Sequence, residues 1–373
     1  MRILVATDRW FPDYKGGAAR FAADHAAALA ANGHDVHVLA PRGADLPPGL
    51  HAAGSIPQTR LPRTLVDPVG TFVAARKQRP SAFDVMVAHQ VTTAYGCLRA
   101  LPGTPLVHVF HASAAREAQL RSSGMRDAAL AGLLGRLERA VVGRAAAIVP
   151  LSAYSRSLLD ADHPRAEKKI VMLSGAVDTS FFRPADPDAP ESPPVLVIVR
   201  RLEEGIGIEE ALHAVALLAG DGPLEVAFAG DGPAAGRMRA LAEQLGLADT
   251  VVFLGSVGAG VLLQWYRRAH AVLIPPAPHE GFGLAAVEAL ACARPAVGTG
   301  GALATVLGGL DTSLVAADRS ADALADAVRR AFVLHGDTEF RKRCRAYAVE
   351  NFSWSSAGAR WDELLHRVAG GDV

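Results

Sequence analysis

Short apolar runs rich in β-branched residues alternate with longer stretches of helical period along almost the whole chain. No other feature constrains the fold as tightly. RILVAT, DVHVLA, DVMVAH, PLVHVFH and AAIVPLS read as strands, and FAADHAAALAANG between the first two carries its apolar residues at helical spacing. A strand buried on both faces reads as a continuous apolar run, so the pattern predicts an α/β protein built on doubly wound parallel sheets. Near Phe181 the texture changes. Residues 183–194, RPADPDAPESPP, hold five prolines and no periodicity, as an exposed linker would. The alternation then restarts with VLVIVR, LEVAFAG, VVFLG, AVLIPP and PAVGTG, interleaved with helical segments at Ile208–Leu218, at Ala234–Leu245 and from Leu284. Two α/β domains are therefore expected, over residues 1–184 and 191–352, with an amphipathic helix at 353–370 marked by Trp354, Trp361, Leu364 and Leu365. Ligands of such domains bind at the carboxyl ends of the strands, and two domains facing each other would enclose them in a cleft.

A chain of 373 residues is long enough for two such cores. Thirty-eight basic residues balance thirty-eight acidic ones, which argues against a nucleic-acid protein that relies on a basic field. Any anionic ligand must then be held locally. Cys97, Cys292 and Cys344 are widely separated, without a CxxC pair, so neither a disulfide framework nor a thiolate metal site is indicated. The start, MRILVATD, is strand-like without a charged leader, and no apolar run of about 18 residues follows. A cytoplasmic protein is the expectation. Arg116 to Arg144 carries six arginines against three acids, so membrane contact would be peripheral at most; solvated helix faces account for the same residues.

Several constellations could carry chemistry. Gly16 and Gly17 precede the first long helix, where their N–H groups could approach an anion; a tight turn explains them equally well. AGDGPAAG at residues 229–236 satisfies GxGxxA, but the next strand, VVFLGSV, does not end on the acidic residue that a dinucleotide ribose needs, and Pro233 fits a plain helix start. His111 falls at the carboxyl end of a strand, where site residues gather, while His108 lies inside it and His34 closes a helix-to-strand turn. HExxH and GxSxG are both absent.

The stretch HEGFGLAAVEAL places Glu280 before a helix and Glu288 inside it, eight residues on. In a continuous helix those carboxylates would stand about 12 Å apart along the axis. Paired glycosidase acids need about 5–5.5 or 6.5–9.5 Å, so a proton-transfer couple is disfavoured. A ligand laid along the helix start fits better, with N–H groups of Gly281 to Leu284 facing an anion or hydroxyls and a carboxylate on either side.

HEGFGLAAVEALA resembles the E-x7-E segment of the retaining GT-B glycosyltransferases of family four, in which a nucleotide-sugar binds between two Rossmann-like domains. The resemblance extends over most of the chain: the glycine loop FPDYKGGAARFAADHAAALAANGHDVHVLAP, SGAVDTSFFRP before the linker, VRRLEEGIGIEEALHAV, AGDGP, VVFLGSV, ALACARPAV and FSWSSAGARWDELL are its landmarks, in order. It implies a GT-B fold with the C-terminal helix packed back on the first domain. It also implies that Glu288 binds the ribose, that Glu280 and the backbone of Gly281, Phe282, Gly283 and Leu284 hold sugar and phosphate, and that Gly16 and Gly17 meet the diphosphate. His111 would touch the donor sugar and Val257 would lie near the base. Such enzymes need neither metal nor cofactor beyond the donor; protein groups offset the charge on the departing diphosphate, and that phosphate itself receives the acceptor's proton.

Two departures stand out. The family's GRLxxxKG segment supplies an arginine and a lysine to the diphosphate; here Arg201 matches the first, but Ile206 occupies the lysine position. Lys15 or Arg200 could supply the charge, the donor could be unusual, or the protein could bind without efficient turnover. GGALATVL, residues 300–307, also lacks the glutamate that usually follows the glycines. A non-hydrolysing nucleotide-sugar epimerase, a transfer that forms a pseudo-glycosidic link and a weakened binding subunit are the competing readings. The acceptor, a small molecule or a glycan, carries no motif in the expected loops His51–Pro68 and Ala112–Arg126. Heavy alanine, arginine and glycine usage suggests a GC-rich bacterial source, in which antibiotic precursors are plausible acceptors.

Overall fold

The structure is a computed structural model that describes residues 1–11, 16–57, 63–79, 81–120, 125–185, 193–276 and 281–372. Two compact units emerge, one of residues 1–175 and 354–373, the other of residues 176–353. Residues 176–185 go with the second unit because they are tied to it: the N–H of Val177 donates to the carbonyl of Phe352 at 2.8 Å, and Arg345 donates to the carbonyl of Phe182 at 2.9 Å.

In the first unit six strands, β1 (Arg2–Ala6), β2 (Asp35–Pro41), β3 (Leu50–Ile56), β4 (Val85–Ala88), β5 (Leu106–Phe110) and β6 (Ala147–Pro150), form a sheet of order β3-β2-β1-β4-β5-β6. Every pairing is parallel, with Ile3 registered on Val36 to one side and on Val85 to the other. Successive side chains leave a strand on opposite faces. Leu4, Ala6, Met86, Ala88, Phe110 and Ile148 accordingly enter one buried cluster with Val91, Leu98 and Val141 from the covering helices. Those helices are α1 (Gly17–Ala31), α2 (Arg63–Ala75), α3 (Val91–Ala100), α4 (Ala114–Leu120), α5 (Met125–Arg144) and α6 (Ala153–Asp162). The stretches expected as acceptor loops are thus mostly regular. Residues 51–56 lie in β3 and 63–68 in α2, while 114–120 form α4.

In the second unit the strands are β7 (Val195–Val199), β8 (Glu225–Ala229), β9 (Val251–Gly255), β10 (Ala271–Leu273), β11 (Ala296–Thr299) and β12 (Val315–Ala316). They pair in parallel in the order β12-β11-β10-β7-β8-β9, which repeats the winding of the first sheet. Helices α7 (Ile208–Ala219), α8 (Ala235–Gln244), α9 (Ala259–Arg268), α10 (Leu284–Ala291), α11 (Gly301–Gly308), α12 (Ala321–Gly336) and α13 (Thr338–Phe352) complete the unit. The two sheets are those of a GT-B protein. In each, the strand order reverses beside the first strand, at β1/β4 and at β7/β10, and a doubly wound sheet opens its ligand crevice at that point.

The last helix, α14 (Trp354–Gly370), belongs to the first unit. Its buried Trp361, Leu364, Leu365 and Val368 form one apolar stripe. His25 of α1 stacks on Trp354 with ring centroids 5.4 Å apart and meets Trp361 at 4.1 Å. Asp362 holds the turn between α1 and β2 through His34, 2.9 Å away. Among the described residues no helix is long and apolar enough to cross a membrane. The three cysteines are free and buried, and burial pushes each thiol up to about 12.

Candidate active site

In the second unit the residues expected to hold the donor follow β7 and β10, which run side by side with Ile198 in register with Leu273. After β7 the chain continues through Arg200 and Arg201. The glycines of AGDGP allow close packing: a Cβ on Gly230 would fall 1.7 Å from the Arg200 carbonyl oxygen. Arg201 is exposed and pairs with Glu203 at 3.0 Å, so an anionic ligand must compete with that carboxylate. Ile206, half-buried, stands just before Gly207, the N-cap of α7.

After β10 the chain reaches Gly281–Leu284 and enters α10. Gly283, its N-cap, takes φ 90° and ψ 47° and has no side-chain cap. Only glycine suits this position. The left-handed backbone is strained for other residues, and a Cβ would lie 2.6 Å from Leu303 Cδ2. The first N–H groups of a helix find no acceptor within it, and its dipole favours an anion there. Phe282 turns its ring inward against Phe352, centroids 5.7 Å apart, so only its backbone is available to a ligand. Glu288, one turn into α10, is 3 % exposed. The Tyr266 hydroxyl donates to its Oε2 at 2.9 Å. Arg294, also buried, donates to the carbonyls of Tyr266 and Arg267, so Tyr266 is braced from behind. Val257 occupies the turn from β9 to α9, half-buried at the sheet's edge. Glu280 and Lys15 lie outside the described residues.

The first unit offers a polar cluster at its own switch point. Gly16, with φ 137°, caps α1 without a side-chain hydrogen bond, and Gly17 is the first helical residue. Gln90 accepts from the Asp8 N–H at 3.0 Å, and the Thr92 hydroxyl donates to Asp8 Oδ2 at 3.1 Å. His111, mostly buried after β5, places Nε2 3.1 Å from Nδ1 of His89, which is fully buried after β4. His108 stays inside its strand, with Nδ1 3.2 Å from the Ala88 carbonyl. Burial, then His108 and Arg9, holds His111 down to about 3; burial, then His111, does the same to His25. Burial also pushes His89 well below the usual imidazole range, with His111, His25 and His108 adding to the shift.

His89, Asp8, Gln90, Tyr266 and Arg294 were not singled out from sequence. For His89 the signal was present, since DVMVAH ends a strand as PLVHVFH does.

Residues 15–181 match the family described as Glycosyltransferase Family 4, and residues 181–351 match Glycosyl transferases group 1. A D-inositol 3-phosphate glycosyltransferase of Actinosynnema mirum is 30% identical over an alignment that covers 91% of this chain and 89% of the relative. The chain belongs to glycosyltransferase family four. Its fold matches sucrose-phosphate synthase from Thermosynechococcus elongatus, with TM-score 0.82, 19% identity and 99% of each chain covered. It also matches Anabaena Alr3699/HepE in complex with UDP-glucose, with TM-score 0.76, 17% identity, and 98% and 99% covered.

The glycosyltransferase carries a pH signature in its first unit. His25, fully buried, has no hydrogen-bond partner on either ring nitrogen among the described residues. Its folded value of about 3 lies below the 6.5 of an ordinary histidine in an unfolded chain, so the unfolded state binds the extra proton between those values. Stability from this group is complete above pH ~6.5 and falls by about 1.4 kcal/mol per unit as pH drops toward the folded value. His25→Phe keeps the stack on Trp354 and removes the titrating group. Its stability, followed by denaturant unfolding from pH 7.5 to 4.5, should fall less steeply than that of the natural protein; an equal slope would remove His25 from the account.

Proposed function

We propose that this glycosyltransferase is a retaining, metal-independent enzyme that takes a sugar from a nucleoside-diphosphate sugar and delivers it to a small hydroxylated acceptor. One observation carries the reading: the uncapped, glycine-started helix α10 has the buried carboxylate of Glu288 one turn in, braced by Tyr266. In this reading Glu288 accepts hydrogen bonds from the ribose hydroxyls, and the helix start with Glu280 holds phosphate and sugar. The anomeric C–O bond to the diphosphate breaks through an oxocarbenium-like state. The acceptor oxygen attacks from the same face, and its proton passes to the departing phosphate.

Arg201, the α10 N–H groups and Lys15 offset the leaving charge that the family's lysine would meet where this chain has Ile206. Gly16 and Gly17 approach the diphosphate, Val257 lies near the base, and His111 contacts the donor sugar. The inositol phosphate named for the Actinosynnema relative suggests a polyol or its phosphate as acceptor. No cofactor is invoked beyond the donor, and the buried free cysteines suit a reducing bacterial cytoplasm.

A thermal-shift screen with UDP, GDP, ADP, dTDP and their sugars tests the reading. A true donor at about 100 times its Kd adds about 2.7 kcal/mol, a rise of roughly 5–10 °C for a domain of this size. Turnover should survive EDTA, and the product should keep the donor's anomeric configuration. No shift with any nucleotide would overturn the reading. The Arg201–Glu203 pair and Ile206 favour one alternative, a subunit that binds donor without turning it over. Donor hydrolysis or transfer by the purified protein excludes that alternative.

A further inference from the structure

His89 meets His111 at the carboxyl ends of neighbouring strands, and the geometry of this pair decides more than contact. The His89 N–H is anchored to the Ala6 carbonyl at 3.1 Å. Its ring is 2 % exposed, set against Phe21 at 5.9 Å and near-perpendicular to His25 at 5.4 Å. Nδ1 lies 3.1 Å from His111 Nε2. Nε2 is buried and, among the described residues, has no hydrogen-bond partner.

Both rings are held neutral by burial and by neighbouring positive or potentially positive groups. Each therefore carries one N–H, and the shared hydrogen bond admits two arrangements. If His111 donates from Nε2, His89 must carry its proton on Nε2, a buried N–H with no acceptor. If His89 donates from Nδ1, only a lone pair is left unmatched. Orphaned buried N–H groups are rarer than under-satisfied acceptors, so the second arrangement prevails. It leaves the proton of His111 on Nδ1, the nitrogen not engaged with His89.

We propose that His89 is a positioning residue that holds His111 in its Nδ1–H tautomer and makes it a hydrogen-bond donor toward the bound donor sugar. The sugar part of this assignment rests on the function proposed above. His111 then polarises a ligand oxygen and does not take up a proton. The second ring nitrogen of a histidine commonly fixes the working one in this way.

The tautomer is read directly by 15N NMR of the histidine side chains in the full-length protein, with the His111 signals assigned by their loss in His111→Gln. The natural protein should show His111 protonated on Nδ1. His89→Leu, which cannot hydrogen-bond, should shift His111 toward the Nε2–H form. His89→Asn, whose amide reaches the position of Nδ1, should restore it. In transfer assays with the donor found by the nucleotide screen, His89→Leu should lower kcat about tenfold with donor KM changed less than about twofold, and His89→Asn should recover most of the loss. An Nε2–H tautomer in the natural protein, or a tautomer unmoved by His89→Leu, overturns the proposal. The expected NMR result without any sugar transfer supports the tautomer assignment and counts only against the proposed function.

Discussion

Glu288→Gln is expected to weaken nucleoside-diphosphate binding about 10- to 100-fold while leaving the protein folded. The glutamine matches the glutamate in shape, and its amide oxygen can still accept the hydrogen bond that Tyr266 now gives to Oε2 at 2.9 Å. What disappears is the charge. Hydrogen bonds to a charged group contribute about 1.5–3 kcal/mol each, against about 1 for neutral pairs, so a ribose bound through this carboxylate should feel the change at once. Alanine is the weaker experiment, because it leaves the Tyr266 hydroxyl without this acceptor in a site where tyrosine is 0% exposed. Calorimetry with the nucleotide chosen by thermal shift measures the effect. Unchanged affinity in a folded variant would move the ribose elsewhere.

Much of this protein was legible because its central strands are buried on both faces. VLVIV and LVHVF leave no alternation to misread, and both appear as strands in the structure. The strands that escaped are edges. β3, LHAAGSI, mixes small and polar residues and is half-exposed, so its stretch reads as a loop. β12 is the two residues Val315–Ala316, too short for any period. At the site, Gly283 and Glu288 were visible since a helix start and its first turns are written within about ten residues. Tyr266 and Arg294 were not. Tyr266 acts on Glu288 from another element, 22 residues away, and Arg294 reaches back 28 residues to Tyr266. Pairings at such range depend on how the sheet is wound, which no local pattern encodes. Glu203 is the opposite case: it stands two residues from Arg201, and the grip it has on that arginine could have been weighed from LEEG alone.

Arg294→Ala should produce the largest stability loss, about 3–5 kcal/mol. The side chain is 2 % exposed and ties the turn before β11 to α9 and α12. Nε donates to the Tyr266 carbonyl at 3.3 Å, Nη2 donates to that of Arg267, and Nη1 donates to His335 Nε2 of α12 at 2.9 Å. The first two acceptors belong to the last turn of α9, where the Tyr266 carbonyl also takes a 3.2 Å bond from the N–H of Ala269, the C-cap. Alanine removes all three donors together and leaves a cavity that the packed surroundings fill only in part. At about 2–4 °C per kcal/mol for a domain of this size, the melting temperature should drop by roughly 10 °C. The same change should reach the ligand, since Tyr266 gives Glu288 a hydrogen bond at 2.9 Å. Tyr266→Phe separates the two consequences: it removes only the hydroxyl, so nucleotide affinity should fall with a much smaller change in melting temperature. If Arg294→Ala melts like the natural protein, the end of α9 has another anchor. If Tyr266→Phe binds nucleotide unchanged, Glu288 is held in place without it.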